Sequence, residues 1–313
     1  MTNTDAGRDL LCINKNFPVI TQIGKNFVRS EYEPGKYITD FRVGAKWANV
    51  IRYRWTEFVE LMRYAPGLEY TLHLQGVPVA KAGVYGTTTT VYPDPDPETT
   101  TVDGHVGDNT SSSWDTTHDA SGNDANSTLA LIRIETGKDT GGAFRIRRGI
   151  CLFDTSAIDA GDTVSSATMS LYGDSVQNDD NDGDDFLAIV TSNPASNTDL
   201  ATGDYDAVGD TVDNPTEMHD AGARIDLGSI STVAYNDFSF NATGISNITK
   251  AGITKLGVRE GHDIIDSPFS GSNDNRNRAN VVSADEAGTA TDPKLVVEHA
   301  AGGPTFTPKS IFI

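Results

Sequence analysis

With 313 residues and 37% hydrophobic side chains, the chain is long enough for one large or two modest domains. No run approaches the roughly 18 apolar residues of a membrane helix, which sets a membrane aside as a partner. The formal net charge of -20 is unevenly placed: residues 1–90 hold 11 Lys and Arg against 8 Asp and Glu, and the rest hold 13 against 36. An acidic body repels phosphates and so excludes nucleic acid as its ligand, whereas a mildly basic N-terminal part suits an acidic protein surface.

The opening residues, MTNTDAGRDLLCINKNF, carry acids where a signal peptide has its apolar stretch, so the chain is expected to leave its cell only by lysis. Tyr37–Val43 and Val50–Trp55 are strand-like, the second with Ile51, Tyr53 and Trp55 on one side and Arg52 and Arg54 on the other. Thr56–Tyr64 reads equally as a helix capped by Thr56 or as continued strand. Ala65-Pro66-Gly67 stops it, and Leu68, Tyr70, Leu72 and Leu74 then alternate with polar residues as one more strand. Residues 1–86 therefore form a small β-rich region, too short to bury a large core alone and suited to attachment or assembly.

Gly86–Thr90 and Asp94-Pro95-Asp96-Pro97 bracket a stiff, extended connection, with Val91-Tyr92 opening the next strand. Short apolar strands follow around Leu129–Ile134, Phe144–Phe153, Ala167–Tyr172, Phe186–Val190, Phe238–Phe240, Lys255–Val258 and Leu295–Val297, with polar loops between them. Ser246–Ala251 is the one hint of a helical turn. This spacing predicts an all-β fold: a jelly-roll-like antiparallel β-sandwich over 87–301, with the smaller N-terminal region before it and an extended tail over 302–313.

Arg148–Tyr172 is the most telling stretch. Ile150-Cys151-Leu152-Phe153 is almost wholly apolar, and Asp159-Ala160-Gly161-Asp162 is turn chemistry. Ala167, Met169 and Leu171 then alternate with Thr168, Ser170 and Tyr172, the pattern of a strand with one buried face. Cys151 is expected to be a small buried hydrophobe. It and Cys12 are too few for a disulfide framework, and a bridge between them is the less favoured arrangement.

In the tail, TFTPKSIFI, the apolar Phe306, Ile311, Phe312 and Ile313 have no local structure to cover them. They are the predicted assembly residues, docking on a neighbouring subunit's sheet edge or else folding back on their own sandwich.

Catalytic chemistry is sparse. With 44 carboxylates, close acidic pairs are inevitable and carry no information. The histidines, His73, His105, His118, His219, His262 and His299, show no metal-pair spacing. There is no nucleophile elbow, P-loop or dinucleotide fingerprint. Glu260-Gly261-His262-Asp263 gathers acid–base groups but reads as a solvated loop. In Asn178–Asp185, Asp180, Asp182 and Asp184 alternate around Gly183 as calcium ligands do, although Ile189 occupies the twelfth position where an EF-hand has its glutamate. That loop is either solvated or ordered by calcium. Trp114, Tyr205 and Tyr235 lie in or near polar loops, where they either pack or stack on sugar rings. The chain is not expected to be an enzyme.

Arg148, Phe153, Asp154, Ser156, Gly161, Val164, Ala167 and Tyr172, with Met169 for a usual leucine, resemble the central stretch of DNRLRE-type β-sandwich domains. Thr291–Glu298 is similar to that family's closing strand, and the likeness spans residues 88–299. Such domains are common in predicted proteins of uncultured tailed phages. The resemblance therefore implies a virion component: a capsid decoration, head-fibre or tail-associated protein that pairs with copies of itself and with other virion proteins. It also implies a carbohydrate-binding alternative, with host-surface glycan as partner. A subunit of an extracellular filament or surface layer fits the same physics. No ligand residue is carried by the likeness, and residues 1–86 match no family.

Overall fold

The computed structural model describes residues 86–301 and the backbones of five N-terminal strands. These are β1 (Ser30–Glu33), β2 (Lys36–Val43), β3 (Lys46–Ile51), β4 (Tyr70–Leu74) and β5 (Val77–Ala82). The first three form an antiparallel sheet and the last two a hairpin. Tyr37–Val43 is strand as expected, Val50 and Ile51 lie in β3, and the rest of Val50–Trp55 lies outside the described residues. Cys12, Thr56–Tyr64 and the tail residues Phe306, Ile311, Phe312 and Ile313 lie outside the described residues.

The chain divides into two compact units, of which Thr87–His299 is the larger. Its strands are β6 (Gly86–Val91), β7 (Asp103–Asp108), β8 (Asp124–Asn126), β9 (Leu131–Lys138), β10 (Phe144–Asp154) and β11 (Thr163–Asn178). They continue as β12 (Phe186–Thr191), β13 (Ile225–Asp226), β14 (Tyr235–Ser239), β15 (Ile253–Glu260), β16 (Arg276–Val282) and β17 (Lys294–Ala300). Nine of them run in the order β13-β12-β15-β10-β9-β16-β11-β17-β6, an all-β antiparallel sheet curled into a half-barrel. β7 pairs with β10 and β8, and β14 with β11. Three one-turn helices, α1 (Trp114–His118), α2 (Ala242–Ser246) and α3 (Gly261–Ile265), interrupt the loops.

The apolar run in β10 is explained by its two buried faces. Cys151 and Phe153 enter a core inside the curl, with Met169 and Leu171 of β11, Phe238 of β14 and Leu295 of β17. Ile150 and Leu152 point the other way, into a second core roofed by Trp114, Leu200, Tyr205 and Val208 from the loops. A strand packed on both sides loses its polar alternation, which is why β10 reads as continuous hydrophobe. Cys151 is a free, fully buried thiol, and burial pushes its pKa well up.

β11 is shared along its length between two partner strands. Its first half pairs with β14 and its second half with β16, with the register shifting between Gly173 and Ser175. A bulge of this kind increases local twist. A Cβ at Gly173 would meet the Ser231 carbonyl at 2.5 Å, so the crossing of the loop requires glycine there.

Three details go beyond the sequence reading or differ from it. β10 and β11 are joined by the Asp159–Asp162 turn, but β9 and β16 separate them in the sheet. The helical turn lies at Ala242–Ser246, upstream of Ser246–Ala251, because Asn241 caps it by accepting from Gly244 N. β7 and β16 are strands that composition concealed. DGHVGD is buried throughout, with Asp103 accepting from Ala284 N, and RNRANVV turns Asn277, Ala279 and Val281 inward.

Candidate functional site

Two side-chain constellations stand out in the body. The first is a ladder of arginines on three adjacent strands. The register sets Arg147 of β10 opposite Glu135 of β9, and Glu135 opposite Arg278 of β16. One step along, Gly137 lies between Arg145 and Arg276, and a Cβ there would meet Arg276 Cβ at 2.5 Å. The fully buried Glu135 holds Arg147 Nη1 at 2.5 Å, Arg145 Nε at 3.6 Å and Arg278 Nη1 at 3.8 Å. Asp124 takes Arg147 at 2.8 Å and Asp274 takes Arg276 at 3.1 Å. With Arg133, five guanidiniums share three carboxylates, so this face is positive on an acidic body. Burial lowers the pKa of Arg278; Glu135 opposes this, while Arg276, Arg133 and Arg147 add to it.

The second constellation is built around α3, where the expected solvated loop proves to be buried: Glu260, His262 and Asp263 are each 0% exposed. Asp263 is clamped between two arginines, Arg148 Nη2 at 2.7 Å and Arg259 Nε at 2.6 Å. Burial opposes its ionisation, but the two guanidiniums overcome that and hold its carboxyl well below the usual range. Arg148 also donates to the carbonyls of Tyr205 (3.0 Å) and His118 (3.2 Å), and Arg259 to that of Val212 (2.8 Å). The Arg148 guanidinium lies 3.9 Å from the centre of the Tyr205 ring. This network fastens the loops that roof the second core. His118 belongs to it on both ring nitrogens, with Nδ1 bonded to Asp119 (3.0 Å) and Nε2 to the Asp263 carbonyl (2.9 Å). Asp119 and Asp213 flank this histidine, yet its nitrogens are already used.

On the other side of α3, His262 meets the acidic loop. Its Nδ1 is 3.1 Å from Glu260 Oε1, while Nε2 lies 3.3 Å from Asp180 Oδ2 and 3.4 Å from Asp182 Oδ2. Neither of the last two contacts is a hydrogen bond, and Nε2 is a buried nitrogen without a partner. Glu260 is fixed by Thr136 Oγ1 (2.7 Å) and His262 N (2.9 Å). Burial raises its pKa, with those bonds opposing. For His262, burial lowers the pKa, but Glu260, Asp180 and Asp182 push it up to about 9.

The loop carrying Asp180 and Asp182 is held, not loosely solvated. Asn277 Nδ2 donates to Asp180 Oδ1 (2.7 Å), Asp184 N to Asp182 Oδ1 (3.1 Å), and Gly183 N to the buried Asp185 (2.9 Å). Gly261 lets the Asp184 carbonyl and the Phe186 ring approach the start of α3 closer than any Cβ would allow. Of the predicted ligands Asp180, Asp182 and Asp184, the structure brings together the first two. Asp184 is not in the group, and His262 takes the third place. Fold alone supplies that partner, because His262 follows Asp182 by some 80 residues of sequence.

The aromatics taken as candidates for sugar stacking are packed. Trp114 and Tyr205 are core residues, and Tyr205 donates to the Thr117 carbonyl at 3.0 Å. Tyr235 packs edge-on to Tyr172 under Lys294 Nζ, 3.6 Å from its ring centre. A cavity of about 410 Å³ among Thr191, Asp210, Asn247, Thr249 and Lys255 has no aromatic wall. Among the described residues, no helix is long and apolar enough to cross a membrane. No protein-family model matches the chain, and no curated protein matches it.

Proposed function

We propose that the chain is a non-enzymatic structural component of a tailed-phage virion, acting as a capsid decoration, head-fibre or tail-associated protein. On this reading the half-barrel is a jelly-roll-like sandwich of the DNRLRE type. Residues 1–86 serve attachment, and 302–313 form an extended tail that joins copies of the chain and other virion proteins. The observation that carries it is how the body spends its acid–base groups: His118, Asp263 and Glu260 are locked in buried hydrogen bonds and ion pairs that fasten loops. Together with the resemblance over 88–299, this favours a rigid body that presents sheet. Sedimentation velocity of the 313-residue chain should give an oligomer that becomes smaller when 303–313 are deleted. A monomer both before and after deletion contradicts the reading.

A second reading, carbohydrate recognition at the host surface, is favoured by the arginine face. Five of the 13 basic residues beyond position 90 lie there, and guanidiniums bind carboxylates in paired geometry. The glycan it suits is therefore an acidic one. In affinity electrophoresis, a polyuronate should retard the chain and a neutral glucan should not, and Arg145→Ala with Arg276→Ala should abolish the effect. Equal mobility in both gels would remove this reading.

A further inference from the structure

We infer that Asp180, Asp182 and His262 form a binding site for one divalent transition-metal ion of the zinc class. The three donor atoms lie within 4.8 Å of one another. The separations from His262 Nε2 to the two carboxylates, 3.3 and 3.4 Å, match the edge of a coordination tetrahedron. Bonds of about 2.0–2.1 Å at tetrahedral angles put neighbouring ligands about 3.4 Å apart.

The imidazole is what lifts the group above an ordinary acidic loop. His262 is 0% exposed, and its Nε2 faces both carboxylates without hydrogen bonding to either. An imidazole held there simply as an ion-pair partner would donate its N–H to one of them. A metal in the gap accounts for both separations from the nitrogen at once. Behind the ring, Glu260 Oε1 contacts Nδ1 at 3.1 Å, and Thr136 and the His262 backbone N–H fix that carboxylate in turn. A carboxylate on the far nitrogen is the usual support of a metal-bound histidine, setting the tautomer and aiming the free nitrogen. Asn277 does the same for Asp180.

Donor type selects the ion. Calcium gathers six to eight oxygens, and this site offers two carboxylates and a nitrogen. Imidazole donors suit zinc and its neighbours in the transition series. Of the two readings of the acidic run, solvated or calcium-bound, neither included the nitrogen donor, and the inferred site takes a softer ion with His262 in place of Asp184. Asp182 is 35% exposed, so the shell opens to solvent on one side and water completes it. The ion would clip the loop between β11 and β12 to α3, at the point where Gly261 already allows them to touch.

Isothermal titration of the chelator-stripped 313-residue chain tests this, with zinc and calcium chlorides as the probes. One zinc should bind per chain, and calcium at the same concentration should give no comparable heat. Cobalt should produce a visible absorption band that zinc bleaches. His262→Gln should remove both signals. The partly exposed Asp182→Asn leaves the fold intact and should weaken zinc severalfold or more, while Asp184→Asn should leave it unchanged. Glu260→Gln, a positioning change, should cost about 10–100-fold in affinity. Absence of zinc binding overturns the inference, as does calcium binding as tight as zinc's. Zinc binding unchanged in both His262→Gln and Asp182→Asn overturns it too, since the ion would then sit on other residues.

Discussion

At the scale of single residues, the body is governed by charges taken out of water. Asp263 sits between Arg148 and Arg259 with every group essentially unexposed, and each arginine reaches on to a loop carbonyl. Removing one member of a buried ion network leaves the others uncompensated and costs about 3–5 kcal/mol. Asp263→Asn should therefore lower unfolding stability by an amount of that order in a urea titration. A loss under about 1 kcal/mol, the scale of an exposed pair, would show that the network is solvated.

Asp103 and Asp292 present the opposite case. Burial pushes the Asp103 carboxyl well up, with Asp285, Asp292 and Glu98 adding to it. It pushes Asp292 up to about 6, again with repulsion from Asp285. Glu98 and Asp285 are raised as well, by burial and by Asp96. The Ala284 amide, donating to Asp103 Oδ2 at 2.9 Å, opposes the rise only in part. A carboxyl raised in the folded state binds its proton more tightly there than in the unfolded chain. Its contribution to stability is complete below pH 3.8 and is lost as pH climbs through about 6. His105, which burial and Arg147 lower to about 4, works in the other direction between that value and 6.5. Asp292→Asn should consequently melt above the parent at pH 8 and level with it near pH 3.5. A melting difference that does not change with pH would refute the assignment.

At the scale of elements, β11 is the longest strand among the described residues and carries a register shift between Gly173 and Ser175. Gly173→Val would force a side chain against the Ser231 carbonyl and the Ile230 methyl, at 2.5 and 3.1 Å. Overpacking of this kind costs about 1–3 kcal/mol. The variant's denaturation midpoint should fall accordingly, and an unchanged midpoint would mean the loop moves aside freely. Strands whose side chains follow the pleat were legible in the sequence. β17 and the Ala167–Tyr172 part of β11 were readable because their apolar residues alternate, and β10 and β12 because burial of both faces leaves a continuous apolar run. β7 and β16 were not, because their inward positions carry Asp, His and Asn whose hydrogen-bond partners lie far away in the chain. The same holds for the site. Asp180 and Asp182 were visible as a local run, whereas His262 joins them through sheet order and Asp184 stays out of the group.

At the scale of the whole molecule, a mildly basic N-terminal part, with 11 Lys and Arg against 8 Asp and Glu over residues 1–90, precedes an acidic body with 13 against 36. The arginine face breaks that division, concentrating positive charge on the β9, β10 and β16 strands of an otherwise acidic unit. Attraction of this kind steers partners from a distance and weakens with salt. It suits either an acidic polymer or the acidic flank of another copy. Electron cryo-microscopy of the 313-residue chain in its assembled form is the most direct test of the central claim, that the molecule works by presenting and joining sheets. The account predicts copies linked through sheet edges and residues 302–313, with the buried network around Asp263 unchanged. An isolated monomer holding a substrate in a cleft between a histidine and a carboxylate would contradict it.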